Sequence, residues 1–227
     1  MNLLRWIPKT PLHPGATRAL ALATVLLAGP LAAAPATYDV RGFGARGDGK
    51  VNDSRAIQAA IDACHKAGGG TVLLTPGRYL SGTIELKSNV TLHLENGAGI
   101  YASRNKEDYR PSGAHGANRG HVLIADGAEN IAVTGKGLLH GQAEADYGNR
   151  WGVREDDRFR TGLILFTRSR NVTLRDFTIL YSDFWTLHLK RCDVVTIDSV
   201  KIRNNPRRLN SDGIDLTSCR NVHISNC

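Results

Sequence analysis

Residues 171–179 read NVTLRDFTI, and their alternation decides the fold. In a strand, successive side chains point to opposite faces. Val172 and Leu174 then face inward, and Thr173 and Arg175 outward. The phase shifts at Asp176 and Phe177, as it does at a corner. The same pattern, a polar residue and then short β-branched alternation, begins at Asn89 (NVTLHLE), Asn130 (NIAVTGKG), Asp193 (DVVTIDSVKI) and Asn221 (NVHISNC). From Asn89 onward these starts lie 41, 41, 22 and 28 residues apart. A single coil of this kind cannot bury its apolar face alone and must stack on its neighbours. The expected fold is all-β, a right-handed parallel β-helix. A β-sandwich is the alternative, but its hairpins need Asn-Gly or Asp-Gly turns between most strands, and these are scarce. The 41-residue intervals leave room for extra strands or long loops. Residues 103–120 and 141–160 are polar, Gly-rich and charged, and read as loops at the rim of a binding face.

One helix is expected, in NDSRAIQAAIDACHKAGGG from Asn52. Asn52 to Ser54 supply capping residues, Ala56, Ile57, Ala60, Ile61 and Cys64 form one apolar face, and Gly68 suits the stop. Such a helix covers the open end of a solenoid, which otherwise exposes both core and strand edge. Cys64 then reads as a core thiol.

At the N-terminus, Arg5, Lys9 and Arg18 precede the apolar run ALALATVLLAGPLAAAPA, which ends in small residues. This predicts a signal peptide over residues 1–36, export to the periplasm or outside the cell, and no membrane association after cleavage. The rest of the chain, 37–227, reads as one domain. The leader accounts for three of the 29 basic residues and none of the 21 acidic ones, so the net charge falls from +8 to +5. The excess is compatible with an anionic partner. No basic run with interleaved aromatics suggests nucleic acid.

Several short matches carry no chemistry. GARGDGKV (44–51) has phosphate-loop spacing but places Val51 where a Ser or Thr is needed, and its embedded RGD is three common residues. Asn52, Asn89 and Asn171 match the glycosylation triplet, yet Asn89 and Asn171 begin repeat units, so stacked asparagine turns explain them. Asp156 and Asp157, set among arginines, read as a solvated ion-paired loop. Cys192 and Cys219 precede corresponding repeat starts and read as stacked thiols on successive coils, with an inter-coil disulfide as the alternative.

The segment NSDGIDLTSCRNVHISNC (210–227) is the chemically dense one. Ile214 and Leu216 share parity and face the core, so Asp215 faces out. Asp212 shares parity with Ile214, and a bend at Gly213 is needed to turn it outward. Both carboxylates then lie near one exposed face. The competing reading is a plain turn, since Asn210, Ser211, Asp212 and Gly213 are all turn formers.

These residues resemble glycoside hydrolase family 28, the polygalacturonase family. The resemblance runs through YDVRGFGARGDGKVNDSRAIQAAIDAC, GGGTVLLTPGRYLSGTIELKSNVTLHLENGAGIYAS, ENIAVTGKGLLHGQ, DFWTLHLKRCDVVTI and the 210–227 segment, and covers residues 38–227. His140 stands where the family usually has Asp. The resemblance implies a right-handed parallel β-helix that hydrolyses galacturonate-rich pectic polymers with inversion. It implies no metal or other cofactor, and a monomer when full length. NSDG corresponds to the family's N-T-D-G, with Ser211 for Thr, which carries the general-base role onto Asp212. Asn210, Asp215 and His188 are substrate-binding candidates, although His188 reads equally well as a hydrogen-bonded structural histidine. In the family an Asp-Asp pair holding the general acid follows about one coil later, then Gly-His-Gly and Arg-x-Lys. None occurs before Cys227, so the sequence is expected to be the N-terminal part of a longer enzyme. Inversion needs an acid and a base about 6.5–9.5 Å apart. One carboxylate cannot fill both roles at once, so this chain alone is expected to be inactive on polysaccharide. The alternatives are a β-helical carbohydrate-binding protein or adhesin, and a calcium-dependent polysaccharide lyase.

Overall fold

The computed structural model describes residues 36–111, 115–116, 118–144 and 159–227. The expected leader, apart from Ala36, and the Asp156–Asp157 pair lie outside the described residues. The described strands form three parallel sheets, one strand of each per coil. The seven-stranded sheet runs β1 (Thr37–Asp39), β3 (Gly70–Leu74), β6 (Val90–Leu94), β9 (Glu129–Gly135), β12 (Arg170–Arg175), β15 (Asp193–Asp198) and β18 (Arg220–Ser225). The six-stranded sheet runs β2 (Asp48–Asn52), β4 (Gly77–Ser81), β7 (Ala98–Ala102), β10 (Leu138–His140), β13 (Thr178–Leu180) and β16 (Lys201–Arg203). The five-stranded sheet runs β5 (Ile84–Glu85), β8 (Arg119–Asp126), β11 (Arg160–Thr167), β14 (Leu187–Lys190) and β17 (Ile214–Thr217). Consecutive coils pair in parallel, in register apart from a shift between β2 and β4, which makes the fold a parallel β-helix. The 41-residue intervals hold no extra coil, because β6, β9 and β12 are direct neighbours.

Period-2 alternation places one residue type inside on coil after coil. Val72, Leu92, Val133, Leu174 and Ile197 stack in register and are fully buried. Each such side chain contributes about 1.5–3 kcal/mol of burial. As expected, Val172 and Leu174 point in while Thr173 and Arg175 do not. The chain turns between sheets on single residues with positive φ. Asn89 (64°), Asn130 (54°), Asn171 (53°) and Asn221 (51°) hold one such corner, and Asp176 (73°) is the corner behind the phase shift. Asparagine tolerates this region better than most residues. The first three also bond to one another: Asn130 Nδ2 donates to Asn89 Oδ1 at 2.9 Å, and Asn171 Nδ2 to Asn130 Oδ1 at 2.8 Å.

Helix α1 (Ser54–Lys66) buries Ile57, Ala60, Ile61 and Cys64 against β1, β3 and β5. Its cap differs in detail from the sequence reading. Asp53 makes no capping bond; its carboxylate accepts the Arg46 and Gly47 N–H groups at 2.7 and 3.0 Å. Asn52 Oδ1 instead accepts the Ser54 N–H at 2.9 Å. Gln58 serves the first strand of the five-stranded sheet as a neighbouring strand would. Its Oε1 accepts the Glu85 N–H at 2.7 Å and its Nε2 donates to the Glu85 carbonyl at 3.1 Å, so that strand edge is closed. At the other end β16, β17 and β18 each finish their sheet, and Leu216 and Ile224 are both 42% exposed there. All four cysteines are free. Cys192 is buried and burial pushes its thiol up to about 11.

Candidate active site

The outer face of the five-stranded sheet carries the polar chemistry. In register across it lie Glu85, Ile124, Leu165, His188 and Asp215. Two residues further along each strand lie Asp126, Thr167, Lys190 and Thr217. Asp215 thus faces away from the coil core, next to His188. Its Oδ2 is nevertheless shut from solvent and meets no hydrogen-bond partner among the described residues. Burial, and secondarily the negative charge of Asp212, push the Asp215 carboxyl up to about 6.

Asp212 is exposed, as the outward-turn reading requires. The residue that turns the chain is Asn210 (φ 51°), itself exposed; Gly213 bends without positive φ. The segment is tied down from beneath. The Asp212 carbonyl accepts the Thr186 N–H at 3.0 Å. Asn204 accepts the Ser182 N–H at 2.9 Å and donates to Thr186 Oγ1 at 2.6 Å and the Ser211 carbonyl at 2.7 Å. Arg160, only 1% exposed, donates from Nε to the Asp183 carbonyl at 2.9 Å and from Nη2 to the Leu209 carbonyl. Arg208 pairs with Asp183 at 3.3 Å. Two buried or half-buried guanidinium groups therefore hold the chain just before Asn210, and Asn204 holds it just after, at Ser211.

His188 is 3% exposed, and both ring nitrogens are engaged: Nε2 lies 2.9 Å from Thr217 Oγ1 and Nδ1 2.9 Å from His115 Nε2. Neither ring nitrogen is left open toward solvent in this arrangement. His115 sits among the rings of Trp185, Phe184 and His121, with centroids 5.0, 5.2 and 5.3 Å away. His121 is fully buried, with neither nitrogen bonded among the described residues. A Cβ at position 162 would lie 2.6 Å from its Cδ2, so Gly162 makes room for the ring. Burial is the main cause that lowers all three imidazoles, His115 to about 4 and His121 to about 3. They are neutral at neutral pH.

Beyond His188, toward the N-terminal coils, the same face opens into a hollow of about 380 Å³. Ile124, Ala125 and Leu165 line it, and Arg110, Arg168, Lys190 and Arg191 surround it. Two carboxylates, one exposed and one holding its proton near pH 6, thus stand at the end of a cationic groove. Among the described residues, no group of three His, Cys, Asp or Glu side chains is placed to hold a metal ion.

The sequence profile of glycosyl hydrolases family 28 matches residues 71–227. The chain belongs to that family. A second profile, rhamnogalacturonase A/epimerase, pectate lyase-like, matches residues 37–103. An exopolygalacturonase of Zea mays is 28% identical over 196 residues, which are 84% of this chain and 46% of that protein. The crystal structure of an exopolygalacturonase from Thermotoga maritima superposes with a TM-score of 0.73 at 26% identity, covering 85% of this chain and 54% of that one. Alginate lyase 7 of Azotobacter vinelandii is 56% identical over 61 residues, 23% of this chain and 7% of that protein. The chain spans less than half the length of the curated relatives it matches.

Of the candidate residues, His188 and Asp215 lie on β14 and β17 at one end of the five-stranded sheet, and Asn210 and Asp212 lie in the turn leading into β17. His140 lies on the six-stranded sheet, with Tyr101 stacked 5.1 Å away and Tyr181 at 5.5 Å. Sequence reading missed His115, Asn204, Arg160, Lys190 and Arg191. For Lys190 a signal existed: it lies two residues from His188 and so shares its outward face.

Proposed function

We propose that this chain forms the base-bearing portion of an exported, pectin-degrading hydrolase that acts with inversion. Asp212 serves as the general base that activates the attacking water. Asp215 and Asn210 contact the sugar, and His188 holds the Asp215 neighbourhood in place. The observation that carries this reading is an exposed Asp212 beside a proton-retaining Asp215 at the end of a cationic groove. A general base must be open to water and substrate. A groove of excess positive charge attracts and orients a polyuronate. Protonating the leaving oxygen requires a second carboxylate across the bond, a role that no described residue fills in this reading. The 227-residue chain therefore binds oligogalacturonate without cleaving it. Titration calorimetry with trigalacturonate, alongside an assay for new reducing ends on polygalacturonate, tests both halves. Binding without release of reducing ends is expected. No binding, or rapid depolymerisation, would overturn the reading.

A further inference from the structure

The cations around the 380 Å³ hollow are not equivalent. Arg110 is paired with Glu85 at 2.9 Å, and Arg168 with Asp126. Lys190 and Arg191 have no carboxylate partner among the described residues. They belong to one coil, the one directly before that of Asp212, since Lys190 pairs in register with Thr217 and the Arg191 N–H bonds to the Thr217 carbonyl at 2.7 Å.

Lys190 ends a regular strand, whereas Arg191 sits at a strained corner. Arg168 (φ 49°) and Arg191 (φ 56°) occupy the same left-handed corner on successive coils, and Ser218 (φ 55°) follows. Asparagine or glycine would sit there with less strain. Arg168 recovers a salt bridge at this position. The coil itself imposes this corner, but Arg191 gains no charged contact within the described residues, so its guanidinium stands at the rim of the hollow with no carboxylate to balance it. The floor below is apolar, from Ile124 and Leu165, as the carbon face of a sugar ring requires.

We infer that Lys190 and Arg191 form a carboxylate-recognising subsite for the uronate unit lying one coil before Asp212. The inference rests on the hydrolase reading above and goes beyond it by fixing where an acidic unit must be free rather than esterified. A guanidinium fork beside an ammonium group fits a planar carboxylate, and a methyl ester removes the charge that both of them need.

The test compares trigalacturonate, its methyl ester, neutral galactotriose and a sulfated galactan oligosaccharide by calorimetry on the full 227-residue chain. Variants are Lys190→Gln and Arg191→Gln, with Lys201→Gln on the six-stranded sheet as control. Thermal unfolding establishes that each variant is folded. Trigalacturonate is expected to bind at least about tenfold more tightly than its ester, the neutral sugar or the sulfated one. Each groove variant should weaken the free acid about tenfold, leave the ester's affinity unchanged, and so erase the preference. Lys201→Gln should change nothing. The inference is overturned if the ester binds as tightly as the acid, if the variants weaken both equally, or if the sulfated oligosaccharide equals the uronate. Failure of any acidic oligosaccharide to bind would overturn the hydrolase reading as well. Binding that ignores esterification would overturn this inference alone.

Discussion

Asp215 is the residue at which burial and charge meet in the site. Its carboxyl titrates near 6 in the folded chain, against an ordinary value of 3.8. Between about pH 4 and 6 the folded state keeps a proton that the unfolded state has released. The stability this contributes is complete below about pH 4 and is lost as pH rises through 6. Asp215→Asn keeps the shape and removes the titration. Its melting temperature is expected to exceed that of the parent by about 2 °C or more above pH 6.5, with the difference shrinking toward pH 4. A difference independent of pH would show that Asp215 is not the group responsible. The three imidazoles act with the opposite sign. They are held below their ordinary value, so their contribution is present above pH 6.5 and is lost as the pH falls. At this scale the sequence was half legible. The parity of Ile214 correctly placed Asp215 outside the core, whereas the outward turn of Asp212 was expected from a bend at Gly213 and the positive-φ residue is Asn210. The sealed Oδ2 of Asp215 and the ring cluster around His115 depend on chain brought in from another coil. Alternation within one strand carries no trace of that.

The stacked corners are the element that sets the coil. Asparagine holds the corner at positions 89, 130, 171 and 221, but the corresponding residue on β15 is Val194, at φ 54° and 39% exposed. A β-branched residue in this region is a backbone outlier. Replacing it should remove about 1–2 kcal/mol of strain. Val194→Asn also offers a side-chain amide next to Asn171. The variant is expected to be more stable by about 1–2 kcal/mol in urea unfolding, with an unchanged m-value. Equal or lower stability would contradict the ladder account. The sequence announced this element through its repeated Asn-Val starts, because a one-residue corner imposes a narrow choice of residue. It did not reveal whether the 41-residue intervals hid further coils. The excess length falls between β7 and β8 and between β10 and β11, and the composition of such connections is little constrained by the sheets they join. Helix α1 was legible from its apolar face. Which of the residues from Asn52 to Ser54 caps it was not, because Asp53 is drawn away by the Arg46 and Gly47 amides.

At the scale of the whole molecule, one sheet face bears the candidate chemistry, with Asp212 and Asp215 at one end and the hollow edged by Lys190 and Arg191 beside them. The coil repeat of about 4.8 Å brings these groups into line although they are distant in sequence. The central claim is that Asp212 is a base for attack of water on a uronoside. A glycosyl fluoride isolates that role, because fluoride departs without protonation and no general acid is needed. The decisive measurement is hydrolysis of galacturonosyl fluoride by the 227-residue chain and by Asp212→Asn, with the anomeric configuration of the product followed by proton NMR. The account predicts hydrolysis with inversion by the parent chain and a rate about 100-fold lower or less in the variant. A parent rate no greater than that of buffer, a variant as fast as the parent, or a product of retained configuration would contradict it.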